Sequence, residues 1–252
     1  MKVLLISGAY GSTHKKILER NLSVYAGYSK YDFSFVVMAT EPMDMHVPEG
    51  TEFWYFNPSL KMDFLWKHQD VIRQKESDDF DLLVFSEDDV LLSESNLDYF
   101  VEHSRNLSGT EYYPGFISYE NWGEKRYLHS MTLDSWKAGN GVEVNGIRYW
   151  SVSPSNRMLP NIHQCCFLFD RKTFDGLISR NEFYVKPERY KYGRGDRYLG
   201  PRESATNWMW KLYYRKAWAL DDIGRAFVLH CDHYAKHPVG PDLEEFQSAV
   251  VK

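Results

Sequence analysis

Apolar residues gather in short unbroken blocks over the first hundred positions, and each block stops at glycine, proline or a polar cluster. Residues 3–7 end at Gly8-Ala9-Tyr10-Gly11, residues 33–39 at Thr40-Glu41-Pro42, and residues 53–56 at Asn57-Pro58. Residues 81–86, which hold Leu-Leu-Val-Phe-Ser, run straight into Glu87-Asp88-Asp89. Apolar blocks of this length read as strands buried on both faces. Between them the period changes to that of a helix: Ile17, Leu18, Leu22 and Tyr25 recur at helical spacing, with Ser12 or Thr13 as the cap. Residues 65–75 and 96–103 read as two more helices. This alternation predicts an α/β fold with a mainly parallel sheet covered on both faces. Sheets of that kind bind ligands beyond the carboxyl ends of their strands. Residues 8–11, 40–41 and 87–89 are therefore expected on one rim.

The pattern loosens after about residue 105. Residues 115–119 and 163–169 read as strands, and Val144-Asn145-Gly146-Ile147 as a hairpin whose Asn-Gly suits a type I′ turn. Residues 204–215 read as a helix with Ala205, Trp208, Met209 and Leu212 on one face. Residues 225–230 form a last strand, and the chain after Pro238 is expected to be a surface or disordered tail. With no repeat, low-complexity tract or linker, the expectation is a single domain over 1–252: a sheet half of about 1–105, an irregular half of about 106–240, and a tail over 241–252.

Composition narrows the partners. The chain has 252 residues, 43% hydrophobic, enough for a large core. A formal charge of -5 and a pI near 6.0 give no general attraction to nucleic acid, which is not expected as a partner. No segment approaches the ~20 apolar residues of a membrane span, and the N-terminal apolar run is too short for a signal peptide. Cys165, Cys166 and Cys231 are odd in number and match no zinc spacing, so they read as reduced core residues. A cytoplasmic location is the expectation.

The chemistry concentrates at Glu87-Asp88-Asp89. Unit charges ~4 Å apart repel by ~1 kcal/mol in water and by several times that at reduced dielectric. A divalent cation removes that cost, and carboxylate oxygens suit Mg²⁺ or Mn²⁺. Such an ion offers open positions to phosphate oxygens and neutralises a departing diphosphate. The alternative is a solvated acidic turn. Gly8–Gly11 allows close backbone approach, Tyr10 can stack on a base, and Thr40 and Glu41 can bond a base or ribose. The segment matches neither a Walker motif nor G-x-G-x-x-G, and a plain strand-to-helix turn is its other reading.

Residues 81–90, Asp-Leu-Leu-Val-Phe-Ser-Glu-Asp-Asp-Val, resemble the D-x-D motif of GT-A glycosyltransferases in its E-D-D variant. Leu65-Trp-Lys-His-Gln-Asp70 resembles the helix before that motif, and Phe227-Val-Leu-His-Cys-Asp-His-Tyr234 the late strand that supplies a metal-binding histidine. Asn161-Ile-His163 and Arg202-Glu-Ser204 are similar to segments on the acceptor side. The matches run from the first strand to about residue 234. The resemblance implies a GT-A (Rossmann-like) fold that moves a sugar from a nucleoside-diphosphate sugar to a glycan or other hydroxyl acceptor.

On that resemblance, Asp89 coordinates the metal, Asp88 meets metal, ribose or phosphates, and Glu87 supports them. His230 is the distant ligand, with His233 as its alternate; a histidine among carboxylates suits Mn²⁺ better than Mg²⁺. The plain reading of His230 is a hydrogen-bonded histidine closing a buried strand. Lys67 and His68 are expected to face the donor, and Asn161 and His163 the sugar hydroxyls. Inverting transfer needs a carboxylate base for the acceptor hydroxyl. Glu203 is the candidate, since related inverting enzymes carry an acid there and a helix N-terminus favours its ionised form; capping is its other reading. Asp196, in a glycine-rich polar loop, comes second. The chain departs from the pattern of two adjacent acids, having Arg202-Glu203-Ser204 instead. Trp122, Trp136 and Trp150 are candidates for a sugar-stacking platform.

Three other classes compete. A sugar-phosphate nucleotidyltransferase would carry a basic residue in its glycine-rich loop, and residues 8–11 hold no arginine. A degenerate transferase fold acting as a glycan- or protein-binding module is the second. A hydrolase is the third, and adjacent acids suit it less than acids facing each other across a cleft.

Overall fold

The computed structural model describes residues 1–129, 139–152, 165–179, 184, 191–192, 197–198, 215–231 and 240–250. The chain forms two compact units. The first takes Met1–Val90, Cys165–Arg189 and Leu199–Thr206; the second takes Leu91–Gln164, Tyr190–Tyr198 and Asn207–Lys252.

The first unit is a five-stranded sheet. Its centre is β1 (Lys2–Ala9) flanked by β2 (Asp32–Ala39) and β4 (Leu82–Glu87), both parallel to it. β3 (Glu52–Tyr55) adds in parallel outside β2, and the strand Cys166–Asp170 closes the other side antiparallel to β4. β4 is buried along its whole length and β1 everywhere except Lys2, as expected of central strands covered on both faces. Register sets Gly8 beside both Met38 and Glu87, so the carboxyl ends of β1, β2 and β4 finish level.

Helix α1 (Lys15–Ala26) buries Leu18, Asn21, Leu22 and Tyr25. Asn21 thus takes the inner place expected of Ile17, which is half-buried. A buried amide needs partners. The Nδ2 of Asn21 donates to the carbonyls of Asp88 at 3.3 Å and Val90 at 3.4 Å, and the Tyr25 hydroxyl donates to Val90 at 3.4 Å. Neither Ser12 nor Thr13 caps α1. His14 holds the N-cap position and makes no side-chain capping bond, because its ring is turned toward acidic side chains. Before α2 (His68–Lys75) the chain makes a 3₁₀ stretch, Pro58–Lys67, broken at Lys61, so the helix expected from residue 65 begins later. β4 runs one residue further than expected, through Glu87. A helix that the sequence reading passed over, Arg171–Ser179, buries Phe174 and Leu177, and Asp170 accepts the Thr173 N–H at 2.7 Å at its start.

The second unit opens with α3 (Glu94–Asn106), capped reciprocally by Ser93 and Asn96. The hairpin Gly139–Val144 to Ile147–Val152 turns at Asn145 and Gly146, with φ of 49° and 78°, as the type I′ expectation requires. Arg215–Ala219 pairs antiparallel with Ile147–Val152 and parallel with Tyr112–Pro114. Arg215, expected to end a helix, therefore starts a strand; residues 204–214 lie outside the described residues. Trp150 is 6% exposed and packs on Trp218 with centroids 5.2 Å apart, so it is core and not a sugar platform. Ile117–Trp122 is flanked by Phe227–His230 in parallel and Lys125–Leu128 antiparallel.

Within the expected tail, the described residues hold a further element. Leu243–Val250 is a helix burying Leu243 and Phe246, and the Phe246 ring meets Phe227 at 6.2 Å. The apolar spacing of Leu243 and Phe246 supplies a buried face, which a solvated tail lacks. Among the described residues, no helix is long and apolar enough to cross a membrane.

Candidate functional site

The three segments expected on one rim do end together in the first unit. Gly11, with φ of +68°, turns the chain after β1 and donates its N–H to Thr40 Oγ1 at 2.9 Å, tying the end of β1 to that of β2. Gly8 is packed closely: a Cβ there would stand 2.5 Å from Leu65 Cδ2. Ala9 and Thr40 are buried, whereas Tyr10 is 42% exposed and Glu41 is open to solvent. The Tyr10 ring rests against Phe64, with centroids 5.8 Å apart.

On the other side of β1, the chain leaves β4 into the acidic run. Glu87, Asp88 and Asp89 are all buried, at 2%, 8% and 1% exposure. The Glu87 N–H donates to the carbonyl of Cys165 at 3.0 Å, and Cys165 adopts a left-handed φ of 57° to present it. Asn21 and Tyr25 fix the backbone from Asp88 to Val90. Against these acids lies His14, a residue that the sequence reading did not single out. Its Nδ1 is 3.2 Å from Asp88 Oδ1 and 3.7 Å from Asp89 Oδ2. One ligand atom from each of the three falls within 4.8 Å of the others. Two carboxylates and an imidazole converging at a buried strand end form a donor set suited to a divalent cation such as Mn²⁺. The signal for His14 lay in topology: it follows the turn after β1, the neighbour of β4.

The other expected residues have the following surroundings or lie outside the described residues. Lys67 pairs with Asp70 at 2.7 Å on the surface of the 3₁₀–α2 junction. His68 is fully buried, its ring 4.9 Å from Phe85 and 5.2 Å from Phe167, so it packs in the core and not on a ligand-facing surface. Burial pushes its ring down to about 4, which keeps it neutral. Asn161, His163, Asp196, Glu203 and His233 lie outside the described residues, as do Trp136 and Trp208.

His230 closes the strand Phe227–His230 in the second unit, where it belongs to a cluster of its own. Its Nδ1 is 3.2 Å from Glu120 Oε1, and His129 Nδ1 reaches the same oxygen at 2.8 Å. The two imidazoles stack with centroids 4.2 Å apart and planes 15° from parallel. Trp122 donates its indole N–H to Glu120 Oε2 at 3.1 Å. Burial pushes the Glu120 carboxyl up, but the hydrogen bonds from His230 and Trp122, with the charge of the two imidazoles, outweigh it and bring it down to about 2. Glu120 and His129 were also not singled out from sequence. The only local mark was at Ser118 and Glu120, polar residues on the same face of the strand Ile117–Trp122.

No protein-family model matches the chain, and neither does any curated protein. Among solved structures the chain is similar to a glycosyltransferase involved in the glycosylation of the major capsid of PBCV-1. The identity is 9% over 91% of this chain and 93% of that one, with a TM-score of 0.37. A likeness of that size carries no argument about activity.

Proposed function

We propose that the chain transfers a sugar from a nucleoside-diphosphate sugar to a saccharide or other hydroxyl acceptor, with Asp88 and Asp89 holding a divalent cation, Mn²⁺ or Mg²⁺. The observation that carries the reading is the burial of both aspartates, together with His14, at the carboxyl end of a central parallel strand. That is where open α/β sheets take their ligands. When bound, the cation supplies neutralisation of the charge that builds on a leaving nucleoside diphosphate.

The residues of the chain divide the remaining work. The backbone of Gly8–Gly11 lets a nucleotide approach closely, and the exposed ring of Tyr10 offers a stacking face for its base. Thr40, held by Gly11, keeps the neighbouring strand end in place. Glu87 supports the turn through its backbone bond to Cys165. On the acceptor side the proposal rests on the sequence resemblance: Glu203 takes the hydroxyl proton in an inverting transfer, with Asp196 second, and Asn161 and His163 meet sugar hydroxyls.

The test is metal-supported donor turnover. A panel of nucleotide sugars is incubated with Mn²⁺, and hydrolysis or transfer is compared for wild type and Asp89→Ala. The expected loss in kcat/KM is at least about 100-fold, equivalent to ~2.7 kcal/mol of transition-state stabilisation. Equal rates in the two proteins would refute the assignment.

A further inference from the structure

We infer that His14 gives this cation a nitrogen ligand through Nδ1, so that one histidine and two aspartates, all from the first unit, hold the metal. The inference rests on the divalent-metal reading of Asp88 and Asp89 and specifies a nitrogen ligand for it.

Three observations lead to it. The first is distance. Two ligand bonds of ~2.1 Å put their donor atoms ~3.0 Å apart at a right angle and ~3.4 Å apart at a tetrahedral angle. His14 Nδ1 lies 3.2 Å from Asp88 Oδ1 and 3.7 Å from Asp89 Oδ2, within a few tenths of an ångström of those spacings. The second is the cost to the helix. His14 occupies the N-cap of α1 without making a capping bond, at a position where Ser, Thr, Asp or Asn would stabilise the helix. A local rule broken at the start of a helix fits a residue retained for its ring. The third is anchorage. The same helix grips the acidic turn through Asn21 and Tyr25, so the imidazole and the carboxylates ride on one packed assembly. An imidazole nitrogen among oxygens favours Mn²⁺ over Mg²⁺ and Ca²⁺.

The experiment reads the ligand directly, without turnover. Mn²⁺ alone is bound to wild type, His14→Asn, His14→Ala, His230→Ala and Asp89→Ala. Affinity is measured by calorimetry, and nitrogen coordination by the ¹⁴N modulation of the Mn²⁺ spin echo. His14→Asn gives α1 a cap residue of the preferred kind, so this variant is expected to fold. The expected result is nitrogen modulation in wild type and His230→Ala, its loss in both His14 variants, and affinity about 10- to 100-fold weaker in those variants. Modulation that persists in the His14 variants overturns the inference. So does Mn²⁺ binding that depends on Asp89 but shows no nitrogen in wild type, while leaving the two-aspartate metal site standing. If Asp89→Ala binds Mn²⁺ as wild type does, or wild type does not bind it, the metal reading and this inference fall together.

Discussion

The two units each carry a histidine–carboxylate cluster around buried acids, built in inverted proportion. In the first, two aspartates and the adjoining Glu87 crowd at a strand end with one imidazole, His14, against them. In the second, two imidazoles, His129 and His230, share a single carboxylate oxygen of Glu120, whose other oxygen takes the Trp122 indole. The proportions decide what each can do. A carboxylate surrounded by donors is held ionised and satisfied, and Glu120 is accordingly drawn down to about 2. Carboxylates that outnumber the imidazole beside them form a set that gains from a divalent cation. Residue type alone, histidine beside acid, does not fix the electrostatics of a cluster; the ratio of donors to acceptors does.

The sharpest way to break this comparison is to neutralise one acid in each cluster and measure stability without metal. Glu120→Gln removes the charge that two imidazoles and an indole are arranged to meet. Breaking a buried pair of this kind is expected to lower unfolding stability by about 3–4 kcal/mol. Asp89→Asn keeps the shape and relieves repulsion among adjacent carboxylates, so its effect is expected to stay within about 1 kcal/mol. Urea unfolding at pH 7 with a chelator present checks both. Equal losses would mean that the first cluster is as structural as the second.

A third histidine sharpens the contrast, because His68 meets aromatic rings in the core of the first unit. Its folded pKa, about 4, lies below the ordinary 6.5 because burial disfavours the charged ring. The unfolded chain therefore binds more protons between those values, and stability falls as pH drops through that window. Between pH 7 and pH 4.5 the loss assigned to His68 is about 2 kcal/mol. The difference between wild type and His68→Leu, followed by urea unfolding at the two pH values, should shrink by that amount in acid. A parallel decline in both proteins would place the acid sensitivity elsewhere.

What the sequence made legible follows from where the physics is local. Unbroken apolar blocks announced β1, β2 and β4, and Asn145-Gly146 announced its turn, because burial on both faces and positive φ each leave a short-range mark. The convergence of Gly11 with Thr40 also followed, since parallel strands of a covered sheet end on one side. His14 did not follow. Whether a residue after β1 meets one after β4 depends on strand order, and the order with β1 beside β4 is a tertiary fact. Glu120 and His129 were hidden for a similar reason: they stand nine positions apart, and the hairpin of Ile117–Trp122 with Lys125–Leu128 brings the chain back so that their side chains bond. His68, expected to face the donor, is buried at the start of α2 instead, where the helix begins three residues later than expected. The closing helix did not follow, because Pro238 reads as the end of structure, whereas Asp242 begins a new element.

Asp242 also gives the mildest probe of the comparison, one that should touch a single cluster. Its Oδ1 accepts the Glu244 N–H at 2.9 Å and the Glu245 N–H at 3.4 Å, satisfying two groups that the start of Leu243–Val250 would otherwise leave to water. That helix packs Phe246 on Phe227, the first residue of the strand that ends in His230. Asp242→Ala should therefore cost about 1 kcal/mol of stability. The expected accompaniment is faster hydrogen exchange along Phe227–His230, with Mn²⁺ affinity unchanged, because the proposed ligands His14, Asp88 and Asp89 are fixed by α1 and β4. A change in Mn²⁺ affinity as large as that from His14→Asn would show that the two clusters depend on each other, and the contrast between a structural and a metal-binding arrangement would have to be redrawn as one coupled system.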